Sequence, residues 1–247
     1  MKRKLASGAS CIGAWMVTSS ADMAEILAYS GLDFLLIDHE HGQGSIETAI
    51  AQMRAMKGTD CTAVLRVPAN DRVYIKRVLD AGVGGIMVPA IGTASEARAA
   101  VASCRYPPDG QRGAFAGMRA MQFGAMADYH ASAWDDLLVV LQIESAAAVS
   151  EIPAIGEVEG VDVLFIGPRD LSASIGRLNR FEDPAVRALT AEAERAIAAT
   201  GRILGSTASS GAAAAEMAGR GYRFLIAGSD ATLLLQGTRS MLAAAGR

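Results

Sequence analysis

Eight short apolar runs, each followed by a segment of helical periodicity, recur along the whole 247-residue chain. They lie at 11–17, 34–38, 61–67, 85–89, 137–143, 162–167, 202–207 and 223–228, bounded by Gly, Pro and polar residues as strands are. The segments between them, such as "ADMAEILAYSG", "SIETAIAQMRAMKG", "DRVYIKRVLDAG" and "TASEARAAVASCR", place apolar residues at helical spacing, and several end at glycine. Strict alternation implies parallel strands joined by helices. Eight such units in a chain of about 250 residues have the count and size of a (β/α)8 barrel. The alternation alone also permits a doubly wound open sheet.

No Gly-, Pro- or Ser-rich linker divides the sequence, so residues 1–247 are expected to form a single α/β domain. The one long interruption is "YPPDGQRGAFAGMRAMQFGAMADYHASAWDD", roughly 106–136, between the fourth helical segment and the fifth strand. A connection of that length is usually functional or interface-forming, and a short helix is expected within it near 124–131. His130 stands there with no acidic or cysteine partner in sequence, which suits a surface or interface residue.

A net charge of −3 and a pI near 5.7 give no basic field for nucleic acid or an anionic membrane. Small-molecule work is the default expectation. "MKRKLASGAS" is basic but lacks the apolar stretch of a secretory signal, and no run approaches the ~20 residues of a membrane span, so a soluble cytoplasmic protein is expected. Cys11, Cys61 and Cys104 are widely spaced without a CxxC pair and read as reduced, mostly buried thiols.

Chemistry in such a barrel gathers at the carboxyl ends of the strands. Strand two ends in Asp38, His39, Glu40 and His41, strand three in Arg66, strand five in Gln142 and Glu144, and strand six in Arg169 and Asp170. Strands seven and eight end in Ser206, Thr207, Ser229 and Asp230. Glu144 and Asp170, from neighbouring strands, would offer hard oxygen ligands to a divalent cation, which suits Mg²⁺ or Mn²⁺. Each could equally cap the following helix or pair with an arginine. His39 and His41, two apart, also leave a His/His metal site geometrically open. The four lysines, Lys2, Lys4, Lys57 and Lys76, sit at the N-terminus or in helical segments, so none is placed for Schiff-base chemistry inside a barrel.

Taken in order, "GLDFLLIDHEHG", "VLRVPAND", "VLDAGVGGIMVP", "CRYPPDGQRG", "LQIESAAAV", "VDVLFIGPRDLSASIG" and "FLIAGSD" resemble the HpcH/HpaI aldolases over nearly the whole chain. These are metal-dependent pyruvate aldolases of the phosphoenolpyruvate/pyruvate barrel group. The resemblance implies a (β/α)8 barrel assembled as a homo-hexamer, which cleaves 4-hydroxy-2-oxo acids to pyruvate and an aldehyde, or runs the reverse addition. It implies that His41 is the general base and that Arg66 steadies developing enolate charge. Glu144 and Asp170 are implied as ligands of the cofactor, a divalent cation (Mg²⁺, Mn²⁺ or Co²⁺). Gln142, Asp170 and the backbone at Arg169 fall at substrate-contacting positions. Asp80 is implied as the acid that raises the basicity of the histidine; since it ends a helix rather than a strand, action across a subunit contact is one reading.

Two residues depart from the family pattern. His39 stands where glycine is usual, and Arg169 where a small or amide residue is usual. His39 is expected to point away into a helix contact, the alternative being that it narrows the aldehyde pocket. Arg169 either lies on the rim or favours substrates with a distal carboxylate. Two rival readings stand beside the aldolase: an acyl-CoA lyase of the citrate-lyase β type, and a non-catalytic metabolite-binding barrel.

Overall fold

The computed structural model describes residues 1–247. The eight strands are β1 (Cys11–Met16), β2 (Phe34–Asp38), β3 (Thr62–Arg66), β4 (Gly85–Val88), β5 (Leu138–Ile143), β6 (Val163–Ile166), β7 (Ile203–Thr207) and β8 (Tyr222–Ser229). All neighbours pair in parallel and β8 closes on β1, so the sheet is a closed barrel and not an open one. Each strand lies within a residue or two of its apolar run in the sequence.

The helices are α1 (Lys2–Ala6), α2 (Ala21–Tyr29), α3 (Ile46–Ala55), α4 (Arg72–Ala81), α5 (Ala94–Cys104), α6 (Tyr129–Ser132), α7 (Ala146–Gly156), α8 (Pro168–Ser174), α9 (Pro184–Thr200), α10 (Gly211–Gly219) and α11 (Asp230–Ala244). Their starts follow local chemistry. Ser20, Ser45, Asp71, Thr93, Ser145 and Ser210 each accept a backbone N–H of the first turn, satisfying donors that have no partner inside the helix. No helix is long and apolar enough to cross a membrane.

Two apolar layers result. Between strands and helices lies a core of 44 buried residues, including Leu35, Ile37, Leu65, Ile86, Val139 and Leu164. Inside the barrel, 12 buried residues fill the lumen, among them Phe34, Leu36, Val64, Val140, Phe165 and Phe224. The basic N-terminus is tied to the barrel: α1 buries Leu5 in the lumen cluster, while Lys2 reaches the carbonyl of Leu137 and the carboxylate of Asp162.

The excursion at 106–136 differs from expectation in form. In place of one helix near 124–131 there is a 3-10 turn over Arg119–Gly124 and then the four-residue α6. Gln122 and Phe123 both adopt positive φ, 52° and 59°, and break the helical hydrogen-bond ladder there. All three cysteines are free, with Cys11 and Cys104 buried.

Candidate active site

Along a strand, side chains alternate between lumen and helix layer, and this parity selects the residues at the barrel mouth. Phe34 and Leu36 face the lumen, so Asp38 follows them on the same side; Val64 leads to Arg66, and Leu138 and Val140 lead to Gln142. The β2–β3 register then sets Asp38 directly beside Arg66.

Arg66 is buried and fixed on several sides. Its Nε and Nη2 donate to Asp38 Oδ1 and Oδ2 at 2.9 and 2.6 Å, a fork-to-carboxylate match. The guanidinium lies 4.3 Å from the centre of the Trp15 ring, and Nη1 reaches Gln142 Oε1 at 3.4 Å. Glu40 Oε2 stands 2.9 Å from Nη1 as an ion contact, yet off the hydrogen-bond line, so that buried oxygen lacks a hydrogen bond. Burial pushes the Asp38 carboxyl up, but the hydrogen bonds and charge of Arg66, with the N–H groups of Glu40 and His41, outweigh it and hold Asp38 below the usual carboxylate range.

Gln142 carries this network to Glu144 at the end of its own strand, β5. Its Nε2 donates to Glu144 Oε1 at 2.6 Å, and the Ala90 N–H donates to Glu144 Oε2 at 3.0 Å. Ala90 holds φ of 54°, a strained conformation for alanine. Gly167 completes the cradle, since a Cβ there would come within 2.9 Å of Glu144 Cγ. Burial, then the charge of Glu40, pushes the Glu144 carboxyl up to about 7; Asp170 adds to the rise, while the Ala90 N–H opposes it.

A cavity of about 600 Å³ opens above Arg66 and Gln142. His41, Arg169 and Asp170 line it as well, and no lysine does. His41 is at the mouth with its side chain 68% exposed, 3.9 Å from Glu40 Oε2. Arg169 and Asp170 sit in the first turn of α8, where neither makes an ion pair.

The donors fit a divalent cation. No three His, Cys, Asp or Glu side chains form a complete cage. Mg²⁺, however, is typically held by one or two carboxylates and keeps waters in its other positions. Glu144 and Asp170 are hard oxygen donors whose mutual repulsion a cation would relieve.

The two histidines part company. The side chain of His39 turns to α4, where Nδ1 meets the Tyr74 hydroxyl at 2.9 Å, and Nε2 is buried without a partner. Burial lowers its pKa. It does not line the cavity, which leaves no shared metal site with His41. Asp80 is also absent from the mouth. It lies in the last turn of α4, at the opposite end of the barrel, bound to Arg112 at 2.9 Å.

The sequence places Asp38 and Glu40 among the polar strand ends without assigning either a role and does not single out Trp15, although parity from Leu36 puts Asp38 in the lumen. Asp230 proves structural: it accepts N–H bonds from Val17 and Thr18 at 3.1 Å and ties the end of β8 to the end of β1.

Residues 11–237 match the family described as HpcH/HpaI aldolase/citrate lyase. The chain is 40% identical over 237 residues to a 4-hydroxy-2-oxovalerate aldolase of Novosphingobium aromaticivorans, covering 96% of this chain and 90% of that one. It is 38% identical over 240 residues to a 5-keto-4-deoxy-D-glucarate aldolase of Escherichia coli K12, covering 97% and 94%. Among solved structures, a family protein from Burkholderia cenocepacia superposes with a TM-score of 0.96 at 36% identity, covering 100% of this chain and 98% of that one.

Proposed function

The chain belongs to the HpcH/HpaI aldolase/citrate lyase family, and from that premise we propose that it is a divalent-metal-dependent aldolase. Its reaction is the cleavage of 4-hydroxy-2-oxo acids to pyruvate and an aldehyde, or the reverse addition. The observation that carries this reading is the continuous array Asp38–Arg66–Gln142–Glu144 across the ends of β2, β3 and β5. It sets a fixed guanidinium beside a carboxylate fit to hold a cation, the pairing that a developing oxoacid enolate requires.

A cation bound by Glu144 and Asp170 would supply Lewis-acid charge beside the oxoacid head of the substrate. The chain's own residues do the rest. Gln142 holds Glu144 in place and spans to Arg66. His41 takes the proton of the 4-hydroxyl at the open mouth. As the C3–C4 bond breaks, its electron pair moves into the C3–C2 bond and the 2-oxo oxygen becomes anionic; the Arg66 guanidinium stabilises that charge. Return of a proton to C3 completes pyruvate, and the aldehyde leaves.

Arg169 has no carboxylate partner and lines the same cavity, which favours substrates whose distal end is a carboxylate. The acyl-CoA lyase reading has no comparable support at the mouth. For Asp80, a role at the base requires a second copy, because its own His41 is at the other end of the barrel. Exposed apolar side chains supply a surface for such copies: Leu234, Leu235 and Met241 on α11, and Ile26 and Tyr29 on neighbouring α2. A homo-hexamer in the cytoplasm is the assembly we propose.

A panel of 4-hydroxy-2-oxo acids assayed for pyruvate release tests the function. Release is expected from at least one member, to vanish with chelator and to return with Mg²⁺, Mn²⁺ or Co²⁺. Turnover that survives thorough chelation would overturn the metal-dependent reading.

A further inference from the structure

At the end of the barrel away from the mouth, a second cavity of about 710 Å³ lies between the end of α3, the α4–β4 turn and the 106–136 excursion. Four cations line it: Arg54, Lys57, Arg112 and Arg119. Its one carboxylate, Asp136, is paired outward with Arg3 at 3.2 Å. Of the four cations only Arg112 has an acidic partner, Asp80; Arg54, Lys57 and Arg119 make no ion pair. We propose that this cavity binds a multiply charged small anion, either a phosphate ester or a polycarboxylate.

Like charges do not converge in a folded protein without compensation. Arg54 and Lys57, near the C-terminal end of α3, have a simple explanation in the negative end of the helix dipole. Arg119, which the excursion brings in from far along the chain, likewise meets a helix end, the carbonyl of Ala81 that closes α4, so three cations from two helix ends converge with Arg112 on one cavity. Arg119 is half-buried and anchored, Nη1 donating to the Ala81 carbonyl at 2.6 Å. Burial and the nearby charge of Arg54 both work against its protonated form, so the two guanidinia feel each other. Arg112 is fully buried between Tyr106 and Tyr129, and its Nε has no partner.

The excursion is held closely to this place. A Cβ on Gly82, whose φ is +92°, would meet Ala120 Cα at 3.3 Å and Arg119 Nη1 at 3.4 Å. Gln122, Tyr129 and Ser132 add neutral hydrogen-bonding groups, and Leu79 and Val83 form an apolar floor. Volume and lining are those of a small-ligand site, with charge of one sign that selects anions. Phosphate and carboxylate oxygens suit guanidinium forks equally, so the two ligand classes share this chemistry.

Isothermal titration calorimetry decides it, using inorganic phosphate and tricarballylate as probes, without divalent metal and with chloride matched for ionic strength. Saturable binding of at least one probe is expected, and the stronger probe assigns the ligand class. The Arg54→Gln/Lys57→Gln double variant changes only exposed side chains and is expected to weaken binding tenfold or more, as is Arg119→Gln. Arg169→Gln, at the other end of the barrel, is expected to leave the affinity within threefold. Absence of saturable binding of either probe below about 20 mM would overturn the proposal, since that corresponds to only ~2 kcal/mol. So would undiminished affinity in the double variant, or loss in Arg169→Gln alone. A change of oligomeric state in the double variant at unchanged probe affinity would assign these cations to a subunit contact instead and overturn it equally.

Discussion

Arg66 is where charge, burial and hydrogen bonding meet in one side chain. Its fork closes on Asp38, its face lies on Trp15, and one Nη remains for Gln142 and Glu40. Arg66→Ala is expected to lower kcat at least ~100-fold, the scale of a lost oxyanion donor, while binding of the metal to Glu144 and Asp170 persists. It should also cost about 3–5 kcal/mol of stability, because Asp38 is left as an unpaired buried charge. A folded variant with kcat within threefold of wild type would show that Arg66 has been assigned wrongly. The same pair sets an acid limit. The Asp38 carboxyl is held below its ordinary value, so its contribution to stability is fully present above the unfolded value of about 3.9 and is lost as pH falls through the lower folded value. Thermal unfolding from pH 6 down to pH 2 should show a drop in Tm below about pH 4 that is shallower in Asp38→Asn. Equal slopes in the two proteins would remove Asp38 as the cause.

The link from β2 to α3, "DHEHGQG", decides which histidine faces the cavity. Spacing leaves the question open, since residues two apart on an ideal strand share a face. The chain ends that regularity at Asp38, whose Oδ1 accepts the N–H groups of Glu40 and His41 and curls the backbone away from the strand. Gly42 is required by the curl, because a Cβ there would lie 2.1 Å from the Asp38 carbonyl oxygen. His39 is thereby turned to Tyr74 and His41 to the cavity. His41→Ala is expected to reduce kcat for aldol cleavage ~100-fold or more, the loss of a general base, whereas His39→Gly should mainly change stability or aldehyde preference. Steady-state kinetics of both on one substrate checks this, and a larger kcat loss at His39 reverses the roles. This element also shows what was legible beforehand. The strands could be read because each is a short, largely apolar run bounded by Gly, Pro or polar residues, β2, β4, β5 and β6 being buried throughout, and Arg66, Gln142 and His41 because their motifs end such runs. The helix contact of His39 was expected from the alternation of side chains along the strand. What the excursion does was not legible, since Gln122 and Phe123 adopt a left-handed conformation that their side chains do not announce. Nor was the seat of α1 in the lumen, which depends on contacts with residues more than a hundred positions away.

At the scale of the molecule, the two ends of the barrel pose one problem. The helices run antiparallel to the strands, so a residue in the last turn of α4 lies near the start of β4, a barrel length from any strand end. Asp80 is held there by Arg112 and so cannot serve the His41 of its own chain. If it assists a base at all, it does so for another copy, and that makes a complete site the product of two chains. Subunit mixing separates the possibilities. Asp80→Ala retains a good His41, and His41→Ala retains a good Asp80; each alone should be poorly active. When the two are mixed under conditions that allow exchange, some contacts join a His41 from the first variant to an Asp80 from the second, and those sites have both groups. Activity is therefore expected to rise well above the sum of the separate variants, following the time course of exchange. An Asp80 that acted only through the stability of its own excursion would give a mixture no more active than that sum, because no exchange of partners repairs a defect confined to one chain.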